Sequence, residues 1–308
     1  MINNPTVSTL IGMSAIFMWS TLVGLIRLIT DELDALTSLT LLYSLSTLIL
    51  LFIFKIPSFK KIPKTYYVLI TFLFVAYELC FSFSVALAKT PLQTIEVGVI
   101  NHLWPTFTIL MMLLSRYLQF NFKLMLGLIF SAIGVMVIQT NGFNLSWNAV
   151  LKNLILNPVS YLLALAAALI WAVYCVVLIK YKPDNNVIVA LFFFTSLSLL
   201  IKWLCFSHVS IPNITGYTGL LLLCASVCLS LGYAAWNIGM IHGNAHILVS
   251  SSYFIPIFSA FFSSLLFKVQ LDICFWIGTS LVVVGSLICW AVTAFPETWK
   301  VKIRSILA

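Results

Sequence analysis

Charge is what this sequence has least of. Only 8% of its 308 residues are Asp, Glu, Lys or Arg, a third of the roughly 25% usual in soluble domains. That scarcity excludes a pair of ordinary soluble domains, which the length alone would allow. Disorder is excluded as well, because 62% of the residues are hydrophobic and such a chain can bury enough apolar surface to order itself. There is no H-E-x-x-H helix, no G-x-S-x-G elbow and no pair of intramembrane aspartates, so the signatures of an enzyme working inside a membrane are missing. Carboxylates and histidines within the apolar runs are too few, and aromatics too many, for a carrier of metal ions. His242 and His246 are four apart, but Gly243 and Asn244 between them break the helix that a ligand pair needs. Neither a metal nor a cofactor is expected. The seven Cys form no C-x-x-C and fall mostly inside apolar runs, where they read as small packing residues. No Lys or Arg precedes the first apolar run, which argues against a cleavable signal peptide.

What is there is apolar length. Mean hydropathy is +1.12, and a spanning helix takes about 20 apolar residues. Ten runs qualify: Thr9–Ile29, Ala35–Phe54, Thr65–Ala88, Thr94–Ser115, Lys123–Thr140, Val159–Lys180, Val187–Leu204, Gly216–Ile238, Ala245–Phe267 and Asp272–Thr293. The fold class expected is an all-α integral membrane protein of ten transmembrane helices, with short connections and no soluble domain. The net charge of +8 then reads as orientation, not as nucleic-acid binding. With the N-terminus cytoplasmic, eleven Lys and Arg lie inside and five outside, so both termini are expected in the cytoplasm.

Landmarks recur at half the chain length. Pro105 and Pro256 are mid-span and 151 apart; Gly127 with Gly134 and Gly278 with Gly285 keep the same offset; Trp19 and Trp171 are 152 apart. The agreement suggests a duplicated five-helix unit, 1–143 and 144–308. Five is odd, so the two units would face opposite ways across the membrane, as in many secondary transporters.

Polar residues follow helical spacing on several spans. Thr94, Gly98, Asn101, Pro105 and Thr108 share a face, and so do Glu78 with Ser82, Ser20 with Gly24 and Arg27, Ser160 with Trp171 and Tyr174, and Ser226 with Ser230, Tyr233 and Asn237. Lipid offers no hydrogen-bond partners, so these faces turn inward. Small residues alone read as close helix packing, which suits the Gly pairs. Faces that also carry Trp, Tyr, Asn or Glu read as a cavity. Pro105 and Pro256 each remove a helical hydrogen bond and free a carbonyl one turn earlier, at Asn101 and Ser252. Either the kink is merely tolerated, or it lies beside a substrate. Trp104 and Trp171 are too deep for a surface aromatic belt and can stack on a flat ligand. Glu78 is expected to be the only carboxylate deep in a span, at a cost of about 3 kcal/mol on insertion scales. It must be neutral or paired, and its role is either a helix–helix contact or work on a substrate ammonium or a proton. Glu96 and Arg27 are both placed near the outer face, where they could pair.

The stretches Ile16–Arg27 (IFMWSTLVGLIR), Glu96–Leu110 (EVGVINHLWPTFTIL), Ser160–Tyr181, Tyr233–Asn244 (YAAWNIGMIHGN), Ser252–Pro256 and Gly285–Trp290 resemble the drug/metabolite transporter superfamily with two EamA-type repeats, along nearly the whole chain. The resemblance implies a multi-pass protein of the bacterial inner membrane that exports aromatic amino acids or related small metabolites by alternating access. A multidrug exporter of flat cationic compounds is the alternative. The substrate cavity expected from both lines of reasoning is lined by Trp19, Ser20, Glu78, Ser82, Asn101, His102 and Trp104 in the first half, and by Trp171, Tyr174, Tyr233, Asn237 and Ser252 in the second. His102 occupies a position that varies in such proteins, often as Tyr.

Overall fold

The computed structural model describes residues 4–54, 63–115, 122–139, 155–181, 187–206, 214–243, 248, 251–252 and 254–294. Among these the regular elements are all helical: α1 Pro5–Glu32, α2 Ala35–Ile53, α3 Lys64–Ala86, α4 Pro91–Asn101, α5 Trp104–Leu114, α6 Phe122–Gln139, α7 Pro158–Tyr181, α8 Ile188–Phe206, α9 Gly216–His242, α10 Ile255–Phe267 and α11 Ile273–Ala294. Local chemistry sets the starts. Asn4, Asp34, Thr90 and Thr215 each accept an N–H of the first turn with a side-chain oxygen, and Pro follows directly in α1 and α4, where no donor is lost. Among the described residues six helices, α1, α2, α3, α7, α8 and α9, are long and apolar enough to cross a membrane, and Phe122–Gly134, Ile255–Phe267 and Ile273–Ile288 are shorter apolar stretches.

One expected span is not a single helix. The run Thr94–Ser115 divides into α4 and α5 at His102 and Leu103. The cause is Pro105, which has no N–H for the Asn101 carbonyl and is accepted only in the first turn of a new helix. The chain tightens there: Leu103 N–H bonds the Ile100 carbonyl at 3.1 Å, and Phe107 N–H bonds Leu103 at 3.0 Å. The same pattern recurs 151 residues later, where Phe254 N–H bonds Ser251 at 3.1 Å and Phe258 N–H bonds Phe254 at 3.0 Å. Leu103 (φ −73°, ψ −7°) and Phe254 (φ −83°, ψ −11°) have matching backbones. The start of the expected ninth span and the boundary at 143/144 lie outside the described residues.

Helices pack in antiparallel pairs. Along α2 and α8, Thr37 meets Trp203, Thr40 meets the Leu199 carbonyl and Ser44 meets Ser196. Along α6 and α11, a Cβ on Gly134 would lie 2.5 Å from the Gly278 carbonyl oxygen, and one on Gly285 would lie 2.5 Å from the Gly127 carbonyl oxygen. These glycines let backbone touch backbone, as small residues do between membrane helices. Gly12 and Gly239 bring α1 and α9 together in the same way, a Cβ on Gly239 falling 2.7 Å from Gly12 Cα. The other extensive contacts join α3 to α7, again antiparallel, and α1 to α10, which run parallel, with Phe17 against Phe258 and Gly24 against Leu266.

Candidate functional site

The centre of the bundle is a chain of aromatic rings from several helices. Trp171 on α7 stacks on Tyr174 (4.5 Å between centroids, 11°) and packs on Tyr77 of α3 at 4.4 Å. Trp104, at the start of α5, meets Trp171 edge-on at 6.4 Å. Tyr233 of α9 lies 6.3 Å from Trp171 and 5.0 Å from Trp19 of α1. Phe74 and Phe192 fill the space behind, each 5.5 Å from Tyr233. The structure thus brings together Trp19, Trp104, Trp171, Tyr174 and Tyr233, all expected from sequence. Gly232 is what lets the indole of Trp19 lie on α9, since a Cβ there would come 2.7 Å from Nε1.

Glu78 is buried in this cluster, 1% exposed, and both of its oxygens are occupied. Tyr43 of α2 donates to Oε2 at 2.5 Å and Tyr233 donates to Oε1 at 2.5 Å. The Tyr43 hydroxyl also meets Ser82 Oγ at 2.7 Å. Tyr43 was not expected from sequence. The signal was present in Thr40, Tyr43 and Thr47, which recur on one face of α2. The carboxylate therefore ties three helices together, and it fixes the ring of Tyr233 that Trp19 and Trp171 touch.

A second polar group lies at the break between α4 and α5. Asn101 is 2% exposed, and its side chain and that of Tyr233 flank the Tyr77 hydroxyl. Asn101 Oδ1, His102 Nε2 and Trp19 Nε1 are buried and accept or donate no hydrogen bond. An orphaned polar atom of this kind costs about 1–3 kcal/mol. Ser20 is fully buried, with its hydroxyl donated to the Ile16 carbonyl at 2.6 Å on its own helix. Ser252 is buried at 4% exposure beside the second break. The side chain of Asn237 lies outside the described residues. Among the described residues no cluster of His, Cys, Asp or Glu could hold a metal ion.

Two acidic expectations change. Glu96 is 3% exposed and accepts from the Tyr161 hydroxyl of α7, so it is a second buried carboxylate. Arg27 pairs with Asp31 at 2.7 Å, one turn along α1, and donates to the Ala88 carbonyl. The Arg27–Glu96 pair is therefore not formed: Arg27 is held by Asp31 and the Ala88 carbonyl, and Glu96 by Tyr161. Beside them Asn157 joins α7 to the α3–α4 turn, donating to the Leu87 carbonyl at 2.8 Å and to Ser160 Oγ at 2.9 Å.

Comparison with known proteins adds a name to this arrangement. Residues 158–291 match the model of the EamA-like transporter family. The chain is 38% identical over 288 residues to the aromatic amino acid exporter YddG of Escherichia coli (strain K12), covering 93% of this chain and 97% of that protein. It is also 38% identical over 290 residues to the aromatic amino acid exporter YddG of Salmonella typhimurium, with the same coverage. A crystal structure at 21% identity shares the fold, with a TM-score of 0.63 over 94% of this chain and 98% of that one. With this identity over nearly the whole length of both relatives, the chain belongs to the drug/metabolite transporters of the EamA-like family.

Proposed function

We propose that this protein exports aromatic amino acids and similar small metabolites across the bacterial cytoplasmic membrane by alternating access. The observation that carries the reading is the ring cluster. Trp104, Trp171, Tyr174 and Tyr233, with Trp19 at its edge, gather at the depth of the broken span and come from both halves of the chain. Flat π surfaces bind flat apolar rings, and residues drawn from two halves can part when the halves rock. Glu78 stands behind Tyr233 and accepts from its hydroxyl, while Ser82 meets Tyr43, the second phenol on that carboxylate.

The proposed architecture is ten spans in two inverted units, 1–143 and 144–308, with both termini cytoplasmic. Matched hydrogen bonds at Leu103 and Phe254 support the duplication. The antiparallel course of α2 on α8, and of α6 on α11, supports the inversion, because each pair joins helices that correspond between units. Alkaline phosphatase fused after Ala308 should be inactive outside the cell; an active fusion overturns the orientation.

Export of flat cations is the second reading, since the rings could also face a positive charge. Proteoliposomes containing the purified chain decide between the two. Uptake of labelled phenylalanine without uptake of a cationic dye is expected, and the reverse would overturn the proposal.

A further inference from the structure

At the end of α4 two adjacent residues carry buried polar atoms with no hydrogen-bond partner, Asn101 Oδ1 and His102 Nε2. Asn101 holds a second acceptor at the same break, since Pro105 has no N–H to offer its main-chain carbonyl. Asn101 adjoins the rings, since it flanks the Tyr77 hydroxyl and Tyr77 packs on Trp171; His102 follows it in the chain, between Asn101 and Trp104, which reaches Trp171 edge-on. Broken helices present carbonyls at one half-helix end and donors at the other, which suits a ligand bearing both charges. The carboxylate within the cluster, Glu78, has a phenol on each oxygen. A permanent cation would have only the ring faces to offset its charge there, whereas a ligand of zero net charge with separate ammonium and carboxylate carries its own counter-charge.

We propose that Asn101 and His102 receive the main-chain groups of a zwitterionic aromatic amino acid. Asn101 Oδ1 accepts from the α-ammonium, His102 Nε2–H donates to the α-carboxylate, and the substrate ring lies among Tyr77, Trp104 and Trp171. This rests on the amino-acid reading above and adds the recognition of the head group.

The first test uses the wild-type protein in proteoliposomes, with counterflow of labelled phenylalanine. Phenethylamine lacks the carboxylate and 3-phenylpropionate lacks the ammonium, and both are smaller than phenylalanine. Each should compete at least about tenfold more weakly than unlabelled phenylalanine. If either competes as well as phenylalanine, the proposal is overturned without recourse to a variant. Asn101→Leu should then raise the KM for phenylalanine about tenfold and weaken phenethylamine, leaving 3-phenylpropionate unchanged. His102→Phe should do the converse. Variants that change only the maximal rate, with KM and the pattern of competitors as in wild type, overturn the head-group assignment while phenylalanine transport stands. Wild-type vesicles that accumulate tetraphenylphosphonium and not phenylalanine overturn the amino-acid reading and this one together.

Discussion

Two polar groups are buried a few side chains apart in this bundle, and they differ in one respect. Around Glu78 every oxygen has a donor: Tyr43 and Tyr233 serve the carboxylate, and Ser82 meets Tyr43. At Asn101 and His102, by contrast, two polar atoms, Asn101 Oδ1 and His102 Nε2, stand without partners. A satisfied buried network fixes geometry, whereas an unsatisfied one costs stability and is kept only where something else benefits. The first group should therefore govern folding and the second transport, and substitutions can set these roles against each other.

The largest stability effect should come from Glu78→Ala, which leaves two phenols without an acceptor. A loss of about 2–4 kcal/mol is expected, the lower end allowing for the modest worth of hydrogen bonds between membrane helices. Thermal unfolding in detergent reads it, and a wild-type melting temperature would dissolve the contrast at its stronger pole. Glu78→Gln should lose about half as much, because an amide still accepts from one phenol.

Next comes Trp171→Ala, which removes the surface on which Tyr77 and Tyr174 pack. Phenylalanine transport should fall by about tenfold or more, for the loss of one aromatic contact of about 1.5 kcal/mol. Trp19→Ala and Trp104→Ala should weaken transport in the same sense. Normal export by all three at equal expression would remove the rings from the site.

A smaller effect separates the two phenols. Tyr43→Phe and Tyr233→Phe each delete one bond to Glu78, for about 1 kcal/mol of stability. Tyr43 touches neither Trp19 nor Trp171 among the ring contacts, so Tyr43→Phe should spare the KM for phenylalanine, while Tyr233→Phe should raise it. Equal effects on KM would mean that the carboxylate acts on substrate directly. The smallest stability change is expected for Asn101→Leu, in which relief of an orphaned acceptor offsets the lost contact with the Tyr77 hydroxyl. It should melt at the wild-type temperature or gain up to about 1 kcal/mol, while its transport is impaired. A clear loss of stability would place Asn101 with Glu78 after all.

How much of this was legible in the sequence depended on whether a residue was costly where it stood. Trp104 and Trp171 stood out because a surface belt could not explain their depth, and Glu78 because a carboxylate is expensive in lipid. Tyr43 did not, since a phenol in an apolar run looks the same whether it meets lipid, a belt or a carboxylate. Only the placement of α2 beside α3 tells these apart. Glu96 was read as peripheral by counting from the end of its span. It is instead covered by Tyr161, whose approach depends on how α7 enters the bundle. Pro105 announced a disturbance, but whether a helix bends or stops is decided by the surroundings, and here it stops.

The glycine contact between α6 and α11 also bears on ancestry. In the two-unit reading these helices are the same element of two units, and Gly134 meets Gly278 while Gly285 meets Gly127 head to tail. An interface between copies of one element that run in opposite directions can form only if the copies enter the membrane opposite ways. A single-unit forebear of this chain would thus have been a homodimer of mixed orientation, with few Lys or Arg to favour either one. In that reading, joining the two copies end to end would remove the need for indecision, and a bias of basic residues such as the eleven-to-five count for a cytoplasmic N-terminus could then accumulate, each half having only one direction left to take.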